Sequence, residues 1–426
     1  MKDYFILKKL CRRIFQIGSG NFWYEENEIG NDKSILYKLY GVIIFTIYGL
    51  LTLLEIMAAV FGDFPPDEKR DSVTFATSHT IVLIKLYSVI SNKKFIRKLN
   101  HDLVQVSKLY EDELLMAEKY RIMKINVIAY IVIVYGTVAC FVYEGFRKMH
   151  EDSHFSTVIT YYPSFEDNSK LATAFRFFTS WVLFVLMISM ILTVDSFTLS
   201  TLIIYKYKII TLRHYFEKIV EEFEVNSLQG NLNEAVERLT NSFVEGIKIH
   251  NELIRLSNKI DKAFGTVMAL QVCQSSGSAV SLLLQMALSD QLTLVARMKI
   301  VFFVAALFFL LGLFLCNAGE ITYQASLLSD AIFYCGWYQF SARQPSNRNL
   351  RSMVLQALSQ AQRPIIMKAF KMLELTYGTF LLVSVSEYNY VHRQFCSYLR
   401  TLRIESISDF GMGYFNFIIV INFSHK

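Results

Sequence analysis

Seventeen consecutive residues, Ile300 to Cys316 (IVFFVAALFFLLGLFLC), carry no charged side chain. A helix that is apolar on every side cannot face water; it is enclosed by protein or immersed in lipid, where its backbone is satisfied internally. The run has companions. Ile125 to Tyr143, Phe177 to Val194 and Phe264 to Ser289 are also uncharged, and Tyr40 to Leu54 is separated from Ile56 to Phe61 only by Glu55. A helix needs ~20 such residues to cross a bilayer, so these five stretches read as spans. Two more complete the set: Ser72 to Ser91, interrupted by Lys85, and Ile365 to Val391, whose start carries Lys368, Lys371 and Glu374. A water-soluble chain of 426 residues would instead divide into separately cored domains. The expected fold is an all-α membrane protein with seven transmembrane helices.

The basic residues orient these spans, because Lys and Arg gather on the cytosolic side. With a cytosolic N-terminus, the inside segments 1–38, 93–124, 206–262 and 343–371 hold seven, eight, nine and six Lys/Arg. That is thirty, against eleven in the outside segments. The expectation is a cytosolic N-terminus and an extracellular C-terminus, the reverse of a G-protein-coupled receptor. The net charge of +6 then reports topology and attraction to membrane lipid, not nucleic-acid binding. No secretory signal peptide is expected before the first span, which serves as its own targeting signal.

Residues 1–38 form a basic arm, within which FILKKLCRRIF reads as an interfacial helix on the membrane. After span four, residues 206–262 contain no proline, and apolar residues recur at helical spacing: Ile209, Leu212, Phe216, Ile219 and Phe223, then Val236, Leu239, Phe243, Ile247 and Leu253. Span four is therefore expected to run on as a long helix, break near Gly230, and return as a second helix into span five. Within span five, Gln271 to Ser278 (QVCQSSGS) is small and polar, a composition suited to close helix packing in lipid.

No catalytic set emerges. His150-Glu151-Asp152-Ser153-His154 fits H-E-x-x-H, but lies in a polar loop rather than a helix that could aim both imidazoles at zinc. Gly18-Ser19-Gly20 has neither a third glycine nor a preceding strand. The six cysteines are scattered without a C-x-x-C pair, which argues against a zinc module or a disulfide framework. No cofactor is implied. Of the ionisable residues in spans, Glu55, Lys85, Arg176 and Asp195 sit near span ends, within reach of the interface by snorkelling. His79, Tyr143, Phe146, Phe178, Trp181, Phe302 and Phe303 share a depth in the outer halves of their spans, and outline an apolar pocket with few polar handles, suited to a small lipophilic ligand.

Two C-terminal strings carry a family resemblance. The run N317-A-G-E320, S326, S329-D-A-I-F-Y, W337-Y338 resembles the pre-pore linker of insect odorant receptors, and R363-P364, K368, F370-K-M-L-E-L375, T379-F380 resembles their last-span motif. The resemblance covers most of the chain in layout. It implies a ligand-gated, non-selective cation channel formed with a co-receptor subunit, in the dendrite membrane of a sensory neuron. It divides the chain into the arm (1–38), spans 1–4 (39–205), a cytosolic helical insert (206–262), spans 5–6 (263–318), a cytosolic linker (319–364), a pore span (365–391) and an extracellular tail (392–426). With the last span as the pore lining, the gate is expected at Leu381, Leu382, Val383, Ser384 and Val385, and the subunit anchor at Trp337, Tyr338 and Pro364; Glu387, an ionisable residue near the outer end of that span, is placed to attract cations. The chain departs from the family at S386-E-Y-N-Y390, where a Tyr-Ser-rich close is usual, and in the residues that follow. Gustatory-type and metabotropic seven-span receptors are the competing classes; the latter predicts D/E-R-Y and N-P-x-x-Y strings that the sequence lacks.

Overall fold

The structure, a computed structural model, describes residues 2–25, 28–62, 66–150, 170–228, 232–288, 294–337, 348–386, 389 and 393. Its helices are α1 (Lys2–Gln16), α2 (Ile35–Phe61), α3 (Pro66–Ser91), α4 (Lys93–Gln105), α5 (Glu113–His150), α6 (Lys170–Leu228), α7 (Leu232–Leu288), α8 (Leu294–Phe333) and α9 (Arg348–Ala361). A two-stranded hairpin follows, β1 (Lys368–Ala369) with β2 (Leu373–Glu374), and then a short apolar helix α10 (Tyr377–Ser386). Among the described residues, helices over 35–61, 72–91, 113–147, 177–227 and 297–333 are long and apolar enough to cross a membrane. The polar run in α7 dilutes its apolar half, 264–288.

The pattern on α2 shows what solvent the bundle is built for. Its buried residues are Gly41, Tyr48, Thr52, Glu55, Ala58 and Ala59, while Val42, Ile43, Ile47, Leu50, Leu53 and Val60 are exposed. Small and polar groups face the protein and large aliphatics face out. Water would invert that arrangement; lipid favours it, because packing and hydrogen bonds rather than hydrophobicity bring helices together there. The chain is a multi-pass membrane protein.

The α1 end of the bundle is different, with water-type packing. Leu7, Leu10, Cys11 and Ile14 of α1 are buried, as are Phe22, Trp23 and the Ile96, Leu99, Leu103 stripe of α4. Arg97 Nε donates to Trp23 O at 2.8 Å and Asn100 Nδ2 to Phe22 O at 3.0 Å, fixing the turn after α1 on α4. The expected interfacial helix is thus corrected. The apolar face of α1 is satisfied by protein, packing mainly on α6 and also on α4.

Helices α6 and α7 extend well past the apolar spans, as the 206–262 periodicity predicts; the expected break near Gly230 lies outside the described residues. The two pack closely: Tyr215 OH donates to Ser242 O at 3.0 Å, and the rings of Phe216 and Phe243 meet at 5.8 Å. A Cβ on Gly246 would sit 2.6 Å from Phe216 Cζ, so this approach requires glycine.

The expected pore span over 365–391 is also corrected. Residues before Tyr377 are not helical. Lys368 pairs with Glu374 and Ala369 with Leu373 around a turn whose Phe370 and Lys371 have φ of 51° and 61°. The hairpin is pinned to α7 by the Lys368 N–H, which donates to Asp261 Oδ1 at 3.1 Å, and closed by Leu375 N–H to Met367 O at 2.9 Å. Lys371 and Glu374 are exposed and Lys368 is half-buried, while Met367, Ala369 and Leu375 are buried, so the charged side chains of this segment sit on an exposed hairpin rather than in a lipid-facing helix.

Candidate functional site

Among the described residues, two buried polar centres lie inside the bundle. The deeper one joins four helices. Lys85 (α3) donates to Asp195 (α6), with Nζ 3.3 Å from both carboxylate oxygens, and also contacts Gln271 Oε1 (α7). Tyr130 OH (α5) donates to Asp195 Oδ2 at 2.7 Å, and Gln271 Nε2 to Ser275 Oγ at 3.3 Å. Lys85, Asp195, Tyr130, Gln271 and Ser275 are all buried. Lys85 and Asp195 therefore do not snorkel, contrary to the expectation from their positions in the sequence. They neutralise each other within protein, which is how buried charges persist at low dielectric. The Arg176 side chain lies outside the described residues.

The second centre is ~9 Å along α3, six residues toward its N-terminus. Here His79 Nδ1 contacts Glu55 Oε2 on α2, and both side chains are fully enclosed. Glu55, too, is a core residue rather than a snorkelling one. Tyr48 lies beneath the dyad, its ring 6.3 Å from that of His79. Phe75, one turn away on α3, lies 6.0 Å from the imidazole, 4.9 Å edge-on to Phe141 (α5) and 6.1 Å parallel to Phe303 (α8). Lys299 places its ammonium 5.1 Å from the centre of the Phe141 ring. Unlike the deeper centre, this one is incomplete: Glu55 Oε1 and His79 Nε2 are buried with no hydrogen-bond partner.

Of the seven aromatic and imidazole residues expected at one depth, the structure brings His79 and Phe303 into this group. Tyr143, Phe146, Phe178, Trp181 and Phe302 are between 45% and 66% exposed and project outward from the chain. Sequence reading missed Glu55, Tyr48, Phe75 and Phe141 as members. Spacing alone carried a partial signal for Phe75, since residues four apart share a helix face with His79.

The two C-terminal motifs meet physically. The N317-A-G-E320 string continues α8 beyond the span, and Asn317 Nδ2 donates to Asn126 Oδ1 at 3.1 Å. A Cβ on Gly319 would lie 2.9 Å from Tyr377 N, and Tyr377 OH donates to Glu320 Oε2 at 2.5 Å. Gly319 makes room for the first residue of α10, and Glu320 holds it. Thr379 caps the same turn, its hydroxyl donating to Glu374 O at 2.6 Å. On α10, Leu381, Leu382 and Val385 are exposed, whereas Phe380 and Val383 pack on the core and Ser384 is half-buried. Trp337 is half-buried, with Nε1 donating to Phe333 O at 2.9 Å; Pro364 is exposed. Tyr338, Glu387, the His154 end of the H-E-x-x-H string and the tail beyond residue 393 lie outside the described residues.

A third ionic group ties α1 to the bundle. Lys119 Nζ donates to Asp3 Oδ2 at 2.8 Å and to Glu111 Oε1 at 3.3 Å, and Lys208 Nζ to Glu111 Oε1 at 2.6 Å and Val106 O at 2.7 Å. Burial works against ionisation of Asp3, but the Lys119 and Lys208 ammoniums outweigh it and hold its carboxyl below the usual carboxylate range. Burial depresses the Lys208 ammonium despite Glu111 and Asp3 beside it.

Residues 66–386 match the family model described as 7tm Odorant receptor. The chain belongs to that family. Its fold is similar to that of the insect olfactory receptor OR5 from Machilis hrabei, at a TM-score of 0.72 and 13% identity, covering 91% of this chain and 98% of that one. The same receptor in complex with eugenol matches at a TM-score of 0.71 and 13% identity, over 94% of this chain and all of that one. No curated protein matches the chain by sequence.

Proposed function

We propose that this odorant receptor is the ligand-tuned subunit of a cation channel, assembled with a co-receptor in the dendrite membrane of a sensory neuron. The observation that carries this reading is the incomplete centre of Glu55, His79, Phe75, Phe141 and Phe303. An apolar enclosure with convergent polar atoms is what a small lipophilic ligand requires, and the solved relative of the same fold is described in complex with one, eugenol. The distribution of basic residues supports seven spans, a cytosolic N-terminus and an extracellular C-terminus. In that orientation the centre occupies the outer half of the bundle. Tyr143, Phe146, Phe178, Trp181 and Phe302 then line the entry route and the lipid boundary around it.

The exposed Leu381, Leu382 and Val385 share one face of α10, and this face turns to the pore shared between subunits. Val383 and Ser384 form its supporting side, and Glu387 attracts cations at the mouth. Trp337, Tyr338 and Pro364, with the extended ends of α6 and α7, form the cytosolic anchor. Ligand binding shifts the population toward an arrangement in which α10 moves outward. The test is whole-cell current across an odorant panel, with and without a co-receptor and with G-protein signalling blocked. Ligand-evoked cation current that survives the block and needs the co-receptor is expected; current abolished by the block overturns the reading.

A further inference from the structure

The described acids of the N-terminal arm are engaged, while four of its bases are not. Asp3 is held by Lys119, Glu28 lies 2.5 Å from Lys8, and Asp32 contacts Lys93. Glu25 accepts from Tyr4 OH at 2.5 Å and from Trp23 Nε1 at 3.1 Å. Lys9, Arg12 and Arg13 on α1, and Lys38 in the first turn of α2, are exposed, and among the described residues none of them meets a carboxylate.

The fold fixes the depth of these cations. Because α1 buries Leu7, Leu10, Cys11 and Ile14 in protein, Phe5, Lys9, Arg12, Arg13 and Gln16 form the opposite, exposed stripe. The last carbonyls of α1 accept from α2: Tyr37 OH donates to Phe15 O and Tyr40 OH to Gln16 O, both at 2.7 Å. The Phe15 and Tyr37 rings stack at 4.1 Å, and a Cβ on Gly18 would lie 2.9 Å from Gly41 Cα, so the two backbones touch there. With 27 residues, α2 is ~40 Å long, more than a hydrocarbon layer of ~30 Å. Its first two turns carry Tyr37, Lys38 and Tyr40, the residue types of a membrane interface, among the exposed Ile35, Leu36 and Leu39. The end of α1 is thereby tied to headgroup level, and Arg12 and Arg13 stand within ~6 Å of Gln16 along the helix.

Uncompensated cations at this depth face lipid phosphates, which are fixed in the same plane. Arginine meets phosphate oxygens through paired N–H donors, and a lysine beside acyl chains extends its ammonium to the headgroups. We infer that Arg12, Arg13 and Lys38, with Lys9 beside them, bind the headgroup of an anionic phospholipid at the α1–α2 junction, its acyl chains lying along Ile35, Leu36 and Leu39. The apolar face of α1 stays in protein, and the opposite face meets the membrane. The orientation proposed above puts this junction at the cytosolic leaflet, whose anionic lipids attract basic segments; the headgroup site itself stands without the ligand and channel reading.

The test follows the melting temperature of the purified full-length chain in mixed micelles of detergent and dioleoylphosphatidylcholine, with dioleoylphosphatidylserine titrated in. Phosphatidylserine is expected to stabilise the chain beyond an equal addition of phosphatidylcholine. Each cation at an anionic surface favours binding about fivefold, so Arg12→Gln/Arg13→Gln/Lys38→Gln is expected to raise the half-saturating mole fraction about tenfold or more. The charge-matched control Lys218→Gln/Arg238→Gln/Lys248→Gln changes exposed residues ~20 Å or more along α6 and α7 from the apolar spans, and is expected to respond as the unmodified chain does. Three results each overturn the inference: phosphatidylserine no better than phosphatidylcholine, a control that loses as much as the α1–α2 variant, or inorganic phosphate stabilising as well as phosphatidylserine. Should the triple variant fail to melt cooperatively in phosphatidylcholine, the single changes Arg12→Gln, Arg13→Gln and Lys38→Gln carry the comparison. Each is then expected to weaken the response about fivefold, and an unchanged response in all three overturns the site.

Discussion

The two polar centres within the spans contain similar parts and differ in completeness. Each has a carboxylate, a basic group and a tyrosine on neighbouring helices. Around Lys85 and Asp195, the Lys85 ammonium, the Tyr130 hydroxyl and the Gln271 amide each find an acceptor, and four helices are tied together. Around Glu55 and His79, two atoms are left over, and the walls are phenylalanine. In a low-dielectric interior a complete network adds rigidity and an incomplete one costs stability. The first centre therefore reads as the structural node of the bundle, and the second as the place where stability is given up for binding.

Breaking the complete node carries the largest expected effect. Asp195→Leu leaves the Lys85 ammonium buried with only Gln271 and orphans the Tyr130 hydroxyl, a loss of roughly 3–5 kcal/mol. Surface expression and monodispersity by fluorescence-detected size exclusion should collapse. Lys85→Met/Asp195→Leu removes both charges and should recover most of the folded protein, since the residual cost is the unmatched Tyr130 and Gln271 groups, about 1–3 kcal/mol. If Asp195→Leu behaves like the unmodified chain, the node is not what holds the four helices together.

The α1 cluster sharpens the point because it is redundant. Glu111 lies against both Lys119 and Lys208, and Asp3 is 2.8 Å from Lys119 and 3.8 Å from Lys208. Lys119→Met leaves no carboxylate without a cation, so the expected loss is smaller, about 1–3 kcal/mol. A thermal melt showing a loss as large as that of Asp195→Leu would remove the distinction between the clusters.

How far these centres were legible in the sequence depends on how local their cause is. Uncharged runs announced the spans, and the helical spacing of Phe216, Phe223, Leu239 and Phe243 announced the extended α6–α7 pair. The Gly319-Glu320 string was visible as part of one motif, and Tyr377 lies between Leu375 and Thr379 of the other; their contact explains why a small residue beside an acid is needed there. By contrast, Lys85 and Asp195 are 110 residues apart in the chain, and no spacing pattern links them. The inward face of a span was hidden for another reason: a helix apolar on all sides has no phase to read. Tyr143, Phe178 and Trp181 consequently matched His79 in depth but not in direction. The segment 365–376 read as the start of a membrane span because its apolar residues were counted together with those of 377–386, although Lys368, Lys371 and Glu374 fall within it.

His250, on the extended part of α7, offers a pH test outside the spans. Burial alone pushes its imidazole down to about 4, so it is neutral in the folded chain. A histidine whose folded pKa lies below its unfolded value near 6.5 binds protons more readily when unfolded, so stability falls as pH drops from 6.5 toward 4. Between pH 7 and pH 5 the loss from this group is roughly 1–2 kcal/mol. Asp3 contributes nothing in that window: its folded pKa is depressed, and its stabilisation is lost only as pH falls below about 4. Asp261, whose carboxyl burial raises to about 6, gains stability as pH falls through the same window, so the test is a difference between chains: lowering pH from 7 to 5 should cost the unmodified chain more melting temperature than it costs His250→Leu, and equal slopes would place the pH sensitivity elsewhere.

The smallest expected change in stability is the most telling. Glu55→Leu/His79→Phe removes the incomplete centre, both orphans included, and substitutes apolar groups of similar size among Tyr48, Phe75 and Phe303. Replacing a buried polar pair by apolar residues of like shape is commonly neutral or stabilising, so the melting temperature should hold or rise, within about 1 kcal/mol, while the matching double change at Lys85 and Asp195 lowers it. This opposite response is what separates a centre kept for folding from one kept for binding. A loss of about 3 kcal/mol or more in Glu55→Leu/His79→Phe would show that the dyad stabilises the bundle as the deeper node does, and the contrast between the two would disappear.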